Sequence, residues 1–439
     1  MKKSMLTLLS AVTVLAAAGC SSKGDMSANT SGQQGAAATA AVPATAAPKE
    51  VTLTFWSTSK DLYAEDIKQF ESQYPNIKVK AEYMGNYDEM AQKVMAGVVA
   101  NTLPNVVQLG QRHGIPQIAD SGKLIPIEQF MEKKDIDDIY PAFWNRFRYK
   151  EKLWTIPFNS STPVLYYNKT LLDKAGVKPP DNWNELVNAA KKLTQDTNGD
   201  GKTDIWGFST AADSPWYLQP MTWNRGGKMV DPTANKVTVN SKEAVETLKS
   251  FQDLVHVQKA MAPNQHKTAE EDFNTGKVAL LFKSGSALAS TQKQVGDKFT
   301  VGVAPLPMVQ SRTTPIGGNS LGIFKSNDEL QKASWTFVSY LTNTENAAKS
   351  SMRSGYVPIR KTSTDLPEFQ KLLKENEGFK TNMGQIEYLY GQAIHPADSL
   401  IWSGLVTALE TVEGDSKADP QKLLDKLQQD VDAFMKNYK

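Results

Sequence analysis

Cysteine is nearly absent: the 439-residue chain holds one, Cys20. A lone cysteine excludes an internal disulfide framework. The four histidines, His113, His256, His266 and His395, are scattered without metal-ligand spacing, so no Cys/His metal site is expected. No glycine-rich loop running into Lys-Ser/Thr is present, which excludes ATP hydrolysis by the chain itself. The formal net charge is only +2 and the charged fraction 22%. With no Lys/Arg-rich run interleaved with aromatics, nucleic acid is not expected as a partner. Beyond the first residues, no apolar run is long enough to cross a bilayer.

What is present begins with a secretory signal. Lys2 and Lys3 precede an apolar run through Leu6, Leu8, Leu9, Val12, Val14 and Leu15, and Ala16-Ala-Ala-Gly-Cys20 closes it. The position of Cys20 at the cut predicts lipid modification, although Ala17 stands where leucine is commoner. Residues 21–50 are Ala, Thr, Ser, Gly, Gln and Pro, unable to bury a core, and predict a flexible tether. Its root-mean-square reach is roughly 30 Å. From Val51 the texture is globular. Val51–Trp56, Ile77–Tyr83 and Val106–Leu109 alternate or run apolar as strands, with helices expected over Lys60–Tyr74 and Asp88–Ala100 between them. Further helices are expected near Asn184–Thr194, Lys242–Lys259, Glu329–Leu341 and Pro420–Tyr438. This alternation predicts an α/β fold with largely parallel sheets. Roughly 390 residues after the tether exceed one ordinary core, so two lobes follow.

The stretch Pro157-Phe-Asn-Ser-Ser-Thr-Pro-Val-Leu-Tyr-Tyr-Asn-Lys169 organises that expectation. Asn159, Ser160, Ser161 and Thr162 form a polar cluster between two prolines, which reads as a crossing between lobes rather than a mid-sheet strand. Val164-Leu-Tyr-Tyr167 then reads as a strand. Trp216 and Trp223 lie in a segment rich in Pro and Gly, read as loop, where indoles beside polar groups suit a sugar or polyol. Trp56 and Trp402 are candidates to join them, and Arg225 is a cation within reach of the same region. Asp196, Asn198, Asp200 and Asp204 space oxygens like the start of an EF-hand loop, with Gly201 at the turn. Gly207 stands where the bidentate Glu is usual, so the alternatives are a structural calcium and a plain turn. Gly318-Asn-Ser-Leu-Gly322 matches the nucleophile-elbow pattern. A strand continues after Ser320 where a helix is required, which leaves a serine hydrolase only a remote alternative.

The crossing segment resembles the extracytoplasmic solute-binding proteins of ABC importers, of the family 1 sugar-binding type, and among them the glycerol-3-phosphate binders. Gly85-Asn-Tyr87, Ser284-Gly-Ser286, Ile316-Gly-Gly-Asn-Ser-Leu321 and Ser354-Gly-Tyr-Val-Pro-Ile359 match that family in order over most of the chain. The resemblance implies a two-lobe periplasmic-binding-protein fold with three interlobe crossings and a ligand cleft. The implied boundaries are 51–161 with 285–318 for the N-terminal lobe, and 162–284 with 319–439 for the C-terminal lobe. It also implies ligand contacts at Tyr87, Ser161, Ser284, Gly318 and Tyr356. Two positions depart: Gln111 stands where a glutamate contacts ligand, and Trp402 where an arginine holds phosphate. Both point toward a neutral carbohydrate, with glycerol-3-phosphate or a glycerophosphodiester as the alternative. The implied protein is a monomeric, non-enzymatic lipoprotein on the extracytoplasmic face, periplasmic in a two-membrane cell. It would deliver its solute to permease subunits driven by a separate ATPase. An anchored sensor that does not transport is the third reading.

Overall fold

The chain was studied as a computed structural model, which describes residues 49–438 apart from 111, 212–213 and 232–235. Cys20, residues 21–48 of the tether and Gln111 therefore lie outside the described residues. In chain order the strands that build the two main sheets are β1 (Val51–Ser57), β2 (Ile77–Tyr83), β3 (Val106–Gly110), β4 (Leu124–Ile125), β5 (Ile156–Ser161), β6 (Pro163–Asn168), β7 (Trp206–Thr210), β8 (Val278–Ser284), β9 (Val301–Ala304) and β10 (Gly317–Phe324). In β1 the alternate residues Leu53 and Phe55 are wholly buried while Thr52 is exposed, the period-two pattern of a half-buried strand. The first sheet has the order β2-β1-β3-β10-β4, with β5 paired to β10. β1 runs parallel to β2 and β3, whereas β10 runs antiparallel to β3, β4 and β5. The second sheet, β9-β6-β8-β7, is parallel only between β7 and β8. The sheets are thus mixed rather than largely parallel, because returning crossovers insert reversed strands into each.

Each sheet has its own core. In the first, Phe55, Phe70 and Phe337 meet edge to face at 5.0–5.5 Å. In the second, Phe208 and Phe282 do so at 4.8 Å in a core that also holds Leu280. Burying side chains of this size contributes roughly 1.5–3 kcal/mol each. The pairings move the boundaries expected from the sequence. β9 and helix Leu288–Val295 pack with the second sheet, although 285–318 was assigned to the first. Conversely, β10 and helix Asp328–Thr342 belong to the first sheet's core, although 319–439 was assigned to the second. Helices Asp398–Gly414 and Pro420–Asn437 do pack on the second sheet, through Ile401, Leu405, Leu424 and Leu427. A strand that crosses early or late looks the same locally, since both sheets bury the same residue types.

The polar cluster after Pro157 belongs to a strand for most of its length. β5 extends to Ser161, which pairs with Gly317, and β6 starts at Pro163, leaving Thr162 alone between the sheets. Neither proline breaks a central ladder, because Pro157 sits on a strand paired along one edge and Pro163 is the first residue of its own. The register slips between Gly317 and Asn319. There Gly318 has φ 97°, and a Cβ on it would stand 2.0 Å from the Asn159 carbonyl oxygen, so only glycine closes the bulge.

Candidate functional site

A cavity of about 480 Å³ is lined by residues of both sheets, their helices and the crossings. Its first wall is set by a helix cap. Asn86 accepts hydrogen bonds from the backbone N–H groups of Asp88 and Glu89, and the Glu89 carboxylate accepts one from Asn86 N, a complete capping box. The cap fixes Tyr87 at the start of helix Tyr87–Ala100, facing the cavity. The Tyr87 hydroxyl accepts from Asn319 Nδ2 at 2.9 Å. Burial, then the neighbouring Tyr356 hydroxyl, pushes its pKa far above the ordinary phenol value. Tyr356 is raised by burial as well. Both are therefore neutral hydroxyls at any physiological pH, able to donate and accept.

His113 stacks 5.6 Å from the Tyr87 ring, and its Nε2 lies 2.9 Å from Asp88 Oδ1. Burial, with the Arg112 charge adding, pushes its pKa down to about 4 against the pull of Asp88. The imidazole is neutral at pH 7. Arg112 lies along the cavity with its guanidinium carbon 3.9 Å from the Trp402 ring centroid. Ser399 Oγ donates to the Arg112 carbonyl at 2.8 Å and holds the backbone there. Arg146 reaches the cavity too, with Nη1 3.3 Å from Asp398 Oδ2. Burial raises the Asp398 pKa, while Arg146 draws it down.

The opposite wall is aromatic and hydroxylic. Trp216 and Trp223 stand on a helix, Ser214–Trp223, where the sequence suggested a loop. Pro220 sits inside that helix, where it removes the hydrogen bond to the residue four back and crowds that residue's carbonyl. The helix forms nevertheless, because Tyr217, Leu218 and Met221 bury one face in the second core. Both indole Nε1 atoms are buried without a hydrogen-bond partner among the described residues. Gly317 seats Trp216: a Cβ there would lie 2.4 Å from the indole Cζ2. The Trp223 ring lies 4.6 Å from that of Tyr390. The hydroxyls of Ser284 and Ser286 share a hydrogen bond of 2.8 Å beside them.

Of the residues singled out in the sequence, Tyr87, Ser161, Trp216, Trp223, Ser284, Gly318, Tyr356 and Trp402 all line this cavity. Trp56 does not. The β1 alternation turns it to the face beneath helix Tyr87–Ala100, where its Nε1 donates to Glu82 Oε2 at 3.2 Å. Arg225 is spent elsewhere, donating to the Met221 carbonyl and to Thr247 and Ser250. Ser320 is wholly buried in mid-strand, between partners Leu109 and Pro157. It lies on no strained turn, which removes the nucleophile-elbow geometry. Asp196, Asn198 and Asp200 turn their oxygens to N–H groups of their own loop: Gly199 and Gly201 donate to Asp196, Asp200 to Asn198, and Lys202 to Asp200. Asp204 accepts from Thr197 N at 2.7 Å. Among the described residues no three His, Cys, Asp or Glu side chains are grouped to hold a metal.

Arg112, Arg146, Tyr390 and Asp398 were not singled out in the sequence. Only Arg112 carried a usable signal, its place next to Gln111. The others meet the cavity through contacts between distant parts of the chain.

The model of the bacterial extracellular solute-binding proteins matches residues 65–379. The chain is a member of that family. Its relatives and neighbours are substrate-binding proteins, and it is not an enzyme. The sn-glycerol-3-phosphate-binding periplasmic protein UgpB of Brucella abortus (strain 2308) is 25% identical over 356 residues, 77% of this chain and 81% of that protein. UgpB of Escherichia coli (strain K12) is 26% identical over 356 residues, covering 76% and 80%. Among solved structures, UgpB from Mycobacterium tuberculosis in complex with glycerophosphocholine superposes with a TM-score of 0.77 at 25% identity, over 88% of this chain and 99% of that one. The substrate-binding protein Lmo0181 from Listeria monocytogenes in complex with cycloalternan shares the fold, with a TM-score of 0.76 at 22% identity and the same coverage. This solute-binding protein thus has the two-lobe fold of its family, with the cavity between its sheets. No helix among its described residues is long and apolar enough to cross a membrane.

Proposed function

We propose that this protein captures a glycerol-phosphate-type solute outside the cytoplasm and hands it to the permease of an ABC importer. In this reading, lipid on Cys20 and the tether of residues 21–50 hold it to the membrane. The observation that carries the choice of solute is the Arg112 guanidinium stacked on Trp402. The family resemblance implied that a phosphate-holding arginine had been exchanged for an indole. Arg112, from the other wall, brings a guanidinium to that same indole. Stacking engages the face of the guanidinium, while its N–H donors lie in the plane, suited to a phosphate edge. Such charge-assisted bonds are roughly twice as strong as neutral ones. The glycerol hydroxyls would meet neutral partners such as Tyr87 and Ser161. The names of the relatives and the glycerophosphocholine held by the mycobacterial neighbour support the same class.

A second reading, a neutral carbohydrate, is favoured by Trp216, Trp223 and Tyr390, whose flat faces suit sugar rings. Calorimetry on the chain from residue 49 onward separates the two. Phosphate esters should bind and lose affinity with Arg112→Gln. Tight maltooligosaccharide binding, indifferent to that substitution, would restore the carbohydrate.

A further inference from the structure

The first lobe keeps touching the second beyond the cavity. Gln117 Nε2 donates to the Pro396 carbonyl at 2.9 Å, and the Tyr438 hydroxyl donates to Asp120 Oδ2 at 3.0 Å. Gln117 and Asp120 lie on helix Ile115–Asp120, whose Ile115 and Ile118 pack with Leu109 of β3. Pro396 leads into helix Asp398–Gly414 and Tyr438 follows helix Pro420–Asn437, both packed on the second sheet. None of the four residues lines the cavity. We infer that these two contacts form a latch between the lobes, which sets how tightly any solute is held without touching it.

Asp120 is made ready within its own lobe. Its Oδ1 accepts from Lys150 Nζ at 2.6 Å and its Oδ2 from the Tyr149 hydroxyl at 2.7 Å. Burial alone would raise its pKa, but the bonds from Lys150, Tyr149 and Tyr438 hold it below the ordinary carboxylate value, so it is ionised at pH 7. Hydrogen bonds to an ionised acceptor are the stronger kind. Tyr438 is fixed in turn by its own lobe, with its ring 5.6 Å from that of Phe434, which packs against the second core. Two partners already held in place lose little side-chain freedom when they meet. Asp120 is exposed and Tyr438 half-buried, so water screens the bond and leaves it weak enough to open.

The Arg146–Asp398 pair inside the cavity also joins the lobes, but both side chains are largely buried. The cost of drying such a pair offsets most of its attraction, so it aligns the lobes more than it holds them. A solute that binds between two lobes needs them together. Its apparent dissociation constant is then the intrinsic one divided by the closed fraction. Loosening the latch lowers that fraction for every solute alike, and this indifference to solute chemistry separates a latch from a binding contact.

The test joins small-angle scattering to titration calorimetry on the chain from residue 49 onward, with sn-glycerol-3-phosphate and maltotriose as probes. Tyr438→Phe keeps the ring against Phe434 and removes only the hydroxyl. Combined with Gln117→Leu, it should enlarge the radius of gyration measured with no solute added. It should also raise the dissociation constant of each probe that binds by the same factor, about three- to tenfold. Asp120→Asn should weaken binding as Tyr438→Phe does, and the two together should lose no more than either alone, because they break one bond. Unchanged dissociation constants, a loss confined to one of two bound probes, or losses that add would overturn the latch. If neither probe binds, the phosphate reading fails by itself and the radius alone decides, an unchanged value overturning the latch.

Discussion

At the scale of single residues, the exchange between Arg112 and Trp402 decides most. Replacing Arg112 by Gln keeps length and polarity but removes charge. Hydrogen bonds to charged groups are worth about 1.5–3 kcal/mol, so phosphate-ester affinity should fall by roughly one to two orders of magnitude. Trp402→Ala should cost about 1–3 kcal/mol, the range for a large apolar contact, by calorimetry. His113 supplies a pH signature. The unfolded chain takes up its proton near 6.5, the folded chain only near 4, so the group's contribution is complete above 6.5 and lost as pH falls toward 4. The loss is on the order of 3 kcal/mol. His395, also lowered by burial, adds to it with the same sign, whereas His266 is raised by Glu413 against burial and acts oppositely above 6.5. Urea unfolding of His113→Phe should therefore show a shallower loss between pH 6.5 and 4 than the parent. At this scale much was legible: Tyr87, Ser161, Ser284 and Gly318 sit in short motifs that carry their own geometry. Arg146, Tyr390 and Asp398 were not, because they meet the cavity through contacts between distant parts of the chain, and the place of Arg112 beside Gln111 gave no hint of the indole it meets.

At the scale of elements, periodic segments were read nearly to the residue, as β2 shows at Ile77–Tyr83. The segment Ser214–Trp223 was misread because its proline outweighed a buried face that exists only against the second core. Strand membership was also illegible, since Pro157 and Pro163 suit a sheet edge as well as a loop. The bulge at Gly318 gives the sharpest element-scale test. Gly318→Ala puts a methyl group into the Asn159 carbonyl and forces an alanine to positive φ. It should cost at least about 2 kcal/mol in denaturant unfolding, since the clash adds to a backbone strain of order 1–3 kcal/mol. The loop carrying Asp196 and Asp204 tests the calcium expectation. Its oxygens already close on backbone N–H groups, so we expect EDTA to leave the melting temperature unmoved; a fall on chelation, reversed by calcium, would establish a structural ion.

At the scale of the whole molecule, the two-lobe arrangement followed from length and alternation, but the division of the chain between lobes did not. Pairing partners are non-local, and nothing in β9 or β10 alone says which sheet each joins. Outside the described residues, Cys20→Ser should move the protein from membrane to soluble fraction without changing its melting curve, as fractionation and a thermal scan would show. Persistent membrane association would count against the lipid anchor. The separate origins of Arg112 and Trp402 have one more consequence. One belongs to a loop of the first sheet, the other to a helix packed on the second, and between β5 and β6 only Thr162 intervenes. In the proposed reading each lobe is half of a bivalent binder, and the connecting strands act as a linker that sets the effective concentration of one half at the other. Affinity in such a system depends on linker length as well as on contacts, falling as the span loosens. Residues inserted beside Thr162 would then weaken capture by lowering that concentration, with every cavity-lining side chain left in place.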